Sequence, residues 1–149
     1  MIRNEPIRIL LADDDADDQL MFREAFEGIK IKTQVEMVRN GAELMNHLLT
    51  PVTPLPHILF LDLNMPLKSG IDCLKDIRKI QFLANIAIVI YSTSSADHDI
   101  EESFIHGANV YLRKPNDFVT LRKLLAEVVI INWQYQAGGM NRDNFILSL

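Results

Sequence analysis

The stretch Ile7-Arg8-Ile9-Leu10-Leu11-Ala12-Asp13-Asp14-Asp15 sets the fold. Six mostly apolar residues, bounded by Pro6 and closed by three aspartates, read as a short strand buried on both faces. Asp15 or Asp17 is placed to cap a helix that runs to about Glu27, where Gly28 stops it. The same alternation continues along the chain. Gln34–Val38 reads as a half-alternating strand, Asn40–Gly41 as a turn and Ala42–Leu49 as a short helix. The Pro51–Pro56 stretch is a rigid loop, and Ile58–Leu61 is a third apolar strand. After the loop Asn64–Gly70, the apolar residues Ile71, Leu74, Ile77 and Ile80 recur at helical spacing. Ile86–Tyr91 is a β-branched fourth strand and Asp97–His106 a helix ended by Gly107. Val110–Leu112 is a fifth strand, Pro115 a breaker, and Phe118, Leu121, Leu124, Leu125 and Val128 mark a last amphipathic helix.

Five βα units with mostly apolar strands predict a five-stranded, doubly wound parallel α/β sheet covered by helices on both faces. Right-handed crossovers bring successive βα loops to one sheet edge, where open sheets of this kind hold their ligands. The polar groups at the strand ends therefore converge. They are Asp13-Asp14-Asp15 after the first strand, Asp62 after the third, Ser92-Thr93-Ser94 after the fourth and Arg113-Lys114 after the fifth. Carboxylates brought together repel, and an all-oxygen set suits a hard cation such as Mg²⁺. A lysine and a hydroxyl on the same rim complete the parts for phosphoryl transfer to a carboxylate.

The length of 149 residues fits one domain, and 48% hydrophobic residues are enough to build a core. The net charge of −5 shows no basic stripe of the kind that marks a nucleic-acid binder. The lone Cys73 excludes an intramolecular disulfide and a cysteine zinc cluster, and suits a reducing compartment. No apolar run approaches the roughly 20 residues needed to span a bilayer, so the expectation is a cytoplasmic protein with no membrane partner.

With these residues in place, the chain resembles the receiver domain of two-component response regulators over roughly Ile7 to Glu127. The resemblance is carried by Asp13, Asp14, Asp62, the Asn64-Met65-Pro66 and Gly70 loop, Ser92 and Lys114-Pro115. It is nearest to stand-alone receivers such as the chemotaxis regulator and phytochrome-associated regulators. The resemblance implies a flavodoxin-like (βα)5 fold and a receiver core of about residues 6–129 within a single domain of 1–149, followed by a C-terminal extension. It implies Asp62 as the phosphoacceptor, charged by a sensor histidine kinase or phosphotransfer protein. It implies Asp14, Asp62 and the Asn64 carbonyl as Mg²⁺ ligands, with Asp13 acting through water. Ser92 is then the switch hydroxyl, Lys114 the cation paired with Asp62 and with the phosphoryl oxygen, and Tyr111 the aromatic that changes rotamer on activation. A cis Lys114–Pro115 bond is also implied. Such a protein is not an enzyme on a separate substrate; it catalyses only its own phosphorylation and dephosphorylation.

Other readings of these residues fit the sequence less well. Asp13, Asp15 and Asp17 alternate as in a calcium loop, but position six is Asp18 where a glycine is needed. A haloacid-dehalogenase-like phosphatase would use an Asp-x-Asp after the first strand, yet leaves Asp62 unexplained. A degenerate receiver, acting as a phosphorylation-independent interaction module, would lack the acceptor or the lysine. His47, His57, His98 and His106 have no metal-ligand spacing, and Cys73 reads as a small buried residue. About 20 residues follow the last helix, so output is expected by contact with a downstream protein. Ile130, Ile131, Trp133 and Tyr135 cannot share one helix stripe. That leaves either a fold-back of Phe145-Ile146-Leu147, bending at Gly138-Gly139, or a homodimer.

Overall fold

A computed structural model describes residues 5–50, 54–134 and 146–147. Its elements alternate as β1 (Ile7–Ala12), α1 (Ala16–Glu27), β2 (Thr33–Val38), α2 (Gly41–Leu49), β3 (Ile58–Leu61) and α3 (Gly70–Lys79). A 3-10 turn (Gln81–Leu83) precedes β4 (Ala87–Ser92), α4 (Asp97–Ile105), β5 (Val110–Arg113) and α5 (Phe118–Gln134). The sheet is parallel throughout, in the order β2-β1-β3-β4-β5.

Strand alternation divides the core into two layers. Leu10, Leu59, Leu61, Ile88 and Ile90 face Leu44 and Leu48 of α2 and Leu74 and Ile77 of α3. Ile9, Leu11, Phe60, Val89 and Leu112 face Phe22 and Phe26 of α1 and Leu121, Leu125 and Val128 of α5. Both faces of β1 and β3 are therefore buried, which is why those strands carry almost no polar residue. Edge strand β2 is only half-buried and alternates as its sequence predicts.

Helix starts follow local chemistry. The Asp15 carboxylate accepts from the Asp18 N–H at 2.9 Å and caps α1, and Gly28 closes that helix. Asn40 caps α2 through the Glu43 N–H, so the expected Asn40–Gly41 turn is a helix entry. Gly70 opens α3 where its backbone presses on β3: a Cβ there would collide with the Asp62 carbonyl oxygen. The glycine thus draws the start of α3 against the strand end that carries Asp62.

Two features depart from expectation. Ile146–Leu147 forms a sixth strand, β6, parallel to β5, with Ile146 opposite Tyr111 and Leu147 opposite Leu112. A fold-back of the tail accounts for it, since the β5 edge offers unpaired backbone groups. Tyr135, Gly138, Gly139 and Phe145 lie outside the described residues. The Lys114–Pro115 peptide is trans, correcting the cis expectation; trans is the favoured form of an X–Pro bond.

Candidate functional site

Register aligns the strand ends. Ala12 stands opposite Leu61, Leu61 opposite Ile90, and Ser92 opposite Arg113. Asp13, Asp62, Ser92 and Lys114 consequently emerge on one rim, as the sequence predicts. The Lys114 N–H donates to the Ser92 carbonyl at 2.8 Å and ties the ends of β4 and β5 together.

The centre of the rim is the Lys114 ammonium. It lies 2.8 Å from Asp13 Oδ2, 2.8 Å from Asp18 Oδ2 and 3.2 Å from Asp62 Oδ2. It also sits 5.1 Å from the centroid of the Tyr91 ring, a cation–π distance. Asp13 is fully buried, and its Oδ1 accepts from the Asp15 N–H at 3.0 Å. Asp62 is 8% exposed, and the Asn64 N–H approaches its Oδ1 at 3.5 Å. Asp14 and Asn64 are exposed to solvent beside them.

Burial raises the pKa of both Asp13 and Asp62 above the usual carboxylate value, and the charge and hydrogen bonds of Lys114 pull in the opposite direction. Burial alone would lower the Lys114 pKa. Hydrogen bonds to Asp13 and Asp18, with the attraction of Asp62, outweigh it and keep the ammonium charged.

Asp13, Asp14 and Asp62 each bring a carboxylate oxygen to within 4.8 Å of the others. This is a Mg²⁺-binding site. Its donors are all oxygen, two of its carboxylates are buried, and Asp14 leaves one side open to water and to an incoming anion. With the cation bound, the site gains the positive charge that phosphoryl transfer between anions requires.

A match to the response regulator receiver domain family spans residues 9–126. The chain belongs to that family. It is 28% identical over 127 residues to the probable methanogenesis regulatory protein FilR2 of Methanothrix harundinacea, covering 83% of this chain and 82% of that protein. The phosphorylated cyanobacterial phytochrome response regulator RcpA superposes with a TM-score of 0.79 at 28% identity, over 89% of this chain and 97% of RcpA. The Mn²⁺-bound form of response regulator Rcp1, from Synechocystis sp., gives 0.76 at 26% identity, over 91% and 99%. This receiver is a phosphorelay component that works with histidine kinases or phosphotransfer proteins. Its chemistry is its own phosphorylation and dephosphorylation. Among the described residues no helix is long and apolar enough to cross a membrane.

The other sequence-predicted residues fall around the site. Ser92 is buried, and its hydroxyl accepts from the Ser94 N–H at 3.1 Å. Tyr111 is buried too, and its hydroxyl donates to the Ser94 carbonyl at 2.9 Å, which ties β5 to the β4–α4 loop. Ser94 Oγ also accepts from the Ala96 N–H and bonds Asp99, although the N-cap of α4 is Ala96, which makes no side-chain capping bond. Thr93 is exposed beside the site. Cys73 is buried in the α3 layer, where burial raises its thiol to about 11, in keeping with a structural role.

Two residues of the site were not singled out in the sequence. Asp18 reaches Lys114 from the first turn of α1, and Tyr91 lies under the ammonium from β4. The signal for Asp18 was its position one helical turn beyond the Asp13–Asp15 run. For Tyr91 it was an aromatic directly before Ser92, at a strand end that points toward the rim.

Proposed function

We propose that Asp62 is the phosphoacceptor of this receiver. The observation that carries it is the Asp62 carboxylate held 3.2 Å from the Lys114 ammonium, beside the Asp13–Asp14 pair. An Asp62 oxygen attacks the phosphorus of a partner phosphohistidine, the P–N bond breaks and the imidazole leaves. Asp14, Asp62 and the Asn64 carbonyl would hold Mg²⁺, which would supply positive charge for the transferring group, and Asp13 would support the cation through water while its carboxylate stays beside Lys114. Lys114 meets the phosphoryl oxygen. The RcpA and Rcp1 structures, one phosphorylated and one holding Mn²⁺, support this assignment by likeness.

Phosphorylation adds charge and acceptor oxygens next to Ser92. The Ser92 hydroxyl turns from the Ser94 N–H toward the phosphoryl group, the β4–α4 loop follows, and the Tyr111–Ser94 bond is the contact that reports it. The output face is α4, β5 and α5, read by a downstream protein in the cytoplasm. Residues 1–149 act as one receiver domain with its core at about 6–129 and its tail from about 130, and the likeness to receivers of similar length supports output by contact. A homodimer through the same face is the second reading, favoured by the exposed Ile105, Val119 and Ile130.

The test is incubation with acetyl phosphate and Mg²⁺ followed by intact-mass measurement. The natural chain should gain one phosphoryl group. Equal labelling of Asp62→Asn would refute the assignment.

A further inference from the structure

The Lys114 ammonium donates hydrogen bonds to Asp18 and Asp62 and lies 2.8 Å from Asp13 Oδ2, so three carboxylates crowd one three-proton cation. A phosphoryl group on Asp62 brings further acceptor oxygens that need the same cation. One carboxylate must then give way. Asp13 is poorly suited, because its side chain is 0% exposed and its buried Oδ2 accepts no hydrogen bond, so the nearby ammonium charge at 2.8 Å is what compensates it. Asp62 is the group being modified. Asp18 differs from both. Its side chain is 33% exposed, so water can replace the lysine, and it sits in the first turn of α1, where the helix dipole favours a free carboxylate. The Asp18 carboxylate does not cap the helix, since Asp15 does. It lies outside the carboxylate trio that forms the cation site. The hydrogen bond its side chain makes is the one to Lys114, at 2.8 Å.

We propose that Asp18 is a positioning residue that competes with the phosphoryl group for Lys114. It holds the ammonium toward α1 while Asp62 is unmodified and yields it when Asp62 is phosphorylated. Asp18 thereby weakens the phosphorylated form of the receiver and limits how fully it accumulates. The proposal rests on Asp62 as the acceptor.

Beryllofluoride, a non-covalent phosphoryl mimic, tests it by titration in the presence of Mg²⁺ with amide NMR shifts as the readout. Asp18→Asn should bind the mimic more tightly, by up to about fivefold, the upper end for a partly exposed ion pair. Asp18→Glu, which keeps the carboxylate, should stay near the natural chain. Asp17→Asn removes the same charge from the same exposed turn without touching Lys114, and it should also change little. Unaltered or weaker binding by Asp18→Asn overturns the proposal. So does an equal gain in Asp17→Asn, which would mean general repulsion acting without Lys114. A natural chain that binds no beryllofluoride at all overturns the acceptor reading and the proposal with it, a result distinct from equal affinities.

Discussion

Replacing Lys114 by methionine leaves Asp13 and Asp62 without their cation. The Asp18 pair, one-third exposed, contributes at most about 1 kcal/mol. The other two partners are different, with side chains 0% and 11% exposed. Removing one member of a buried pair costs about 3–5 kcal/mol when the remaining charge cannot escape. Here it can in part, because burial already raises the pKa of Asp13 and Asp62 above the usual carboxylate value, and loss of the Lys114 charge raises both further. The expected loss for Lys114→Met near neutral pH without Mg²⁺ is therefore about 3 kcal/mol, a large share of a typical domain's stability. The sign of the pH effect follows. A carboxylate whose folded pKa is raised costs stability above that value and recovers it as pH falls toward the unfolded pKa. The variant's deficit should be full at neutral pH and shrink as pH falls toward the unfolded carboxylate value. Added Mg²⁺ should restore part of it by supplying the missing charge. Urea unfolding in EDTA and in Mg²⁺, across that pH range, measures all three effects. A loss under about 0.5 kcal/mol at neutral pH would show that the ammonium does not neutralise the buried carboxylates.

Three further outcomes are expected. Asp14→Ala should lower Mg²⁺ affinity about tenfold or more, since losing even an outer-shell partner costs that much, and should raise the metal-free melting midpoint by relieving repulsion; undiminished binding in a calorimetric titration would contradict the ligand role. Ser92→Ala should still take a phosphoryl group but fail to pass it on, so that NMR shifts at Tyr111 and α4 seen on phosphorylation of the natural chain disappear; normal shifts would remove Ser92 from the switch. In sedimentation with phosphodonor, the full chain should dimerise more than a version ending at Val129. Two monomeric forms would leave the tail as a cover for the β5 edge, and equal dimerisation of both would move the interface off the tail.

The architecture was legible because β1 and β3 are buried on both faces and so carry unbroken apolar runs between aspartates and turn residues. The strand-end residues were legible for the same reason: parallel strands put Asp13, Asp62, Ser92 and Lys114 on one rim whatever the details of packing. What the one-dimensional pattern hid depends on tertiary reach. Asp18 sits in an acidic run in which several carboxylates look alike, and only the placement of α1 over the end of β5 selects it for Lys114. Strand β6 is two residues long, and its apolar pair could equally have covered a helix; the open edge of β5 makes it a strand. Ser92 looked like loop and belongs to β4 because Arg113 pairs with it.

Locating the phosphoryl group tests the central claim most directly. After treatment with acetyl phosphate and Mg²⁺, borohydride reduces an aspartyl phosphate to homoserine, and peptide mass spectrometry then reads the position. The account predicts conversion at Asp62, with Asp13, Asp14 and Asp18 left as aspartate. Conversion at any of those three with Asp62 intact, or no conversion in a folded chain that binds Mg²⁺, would contradict it.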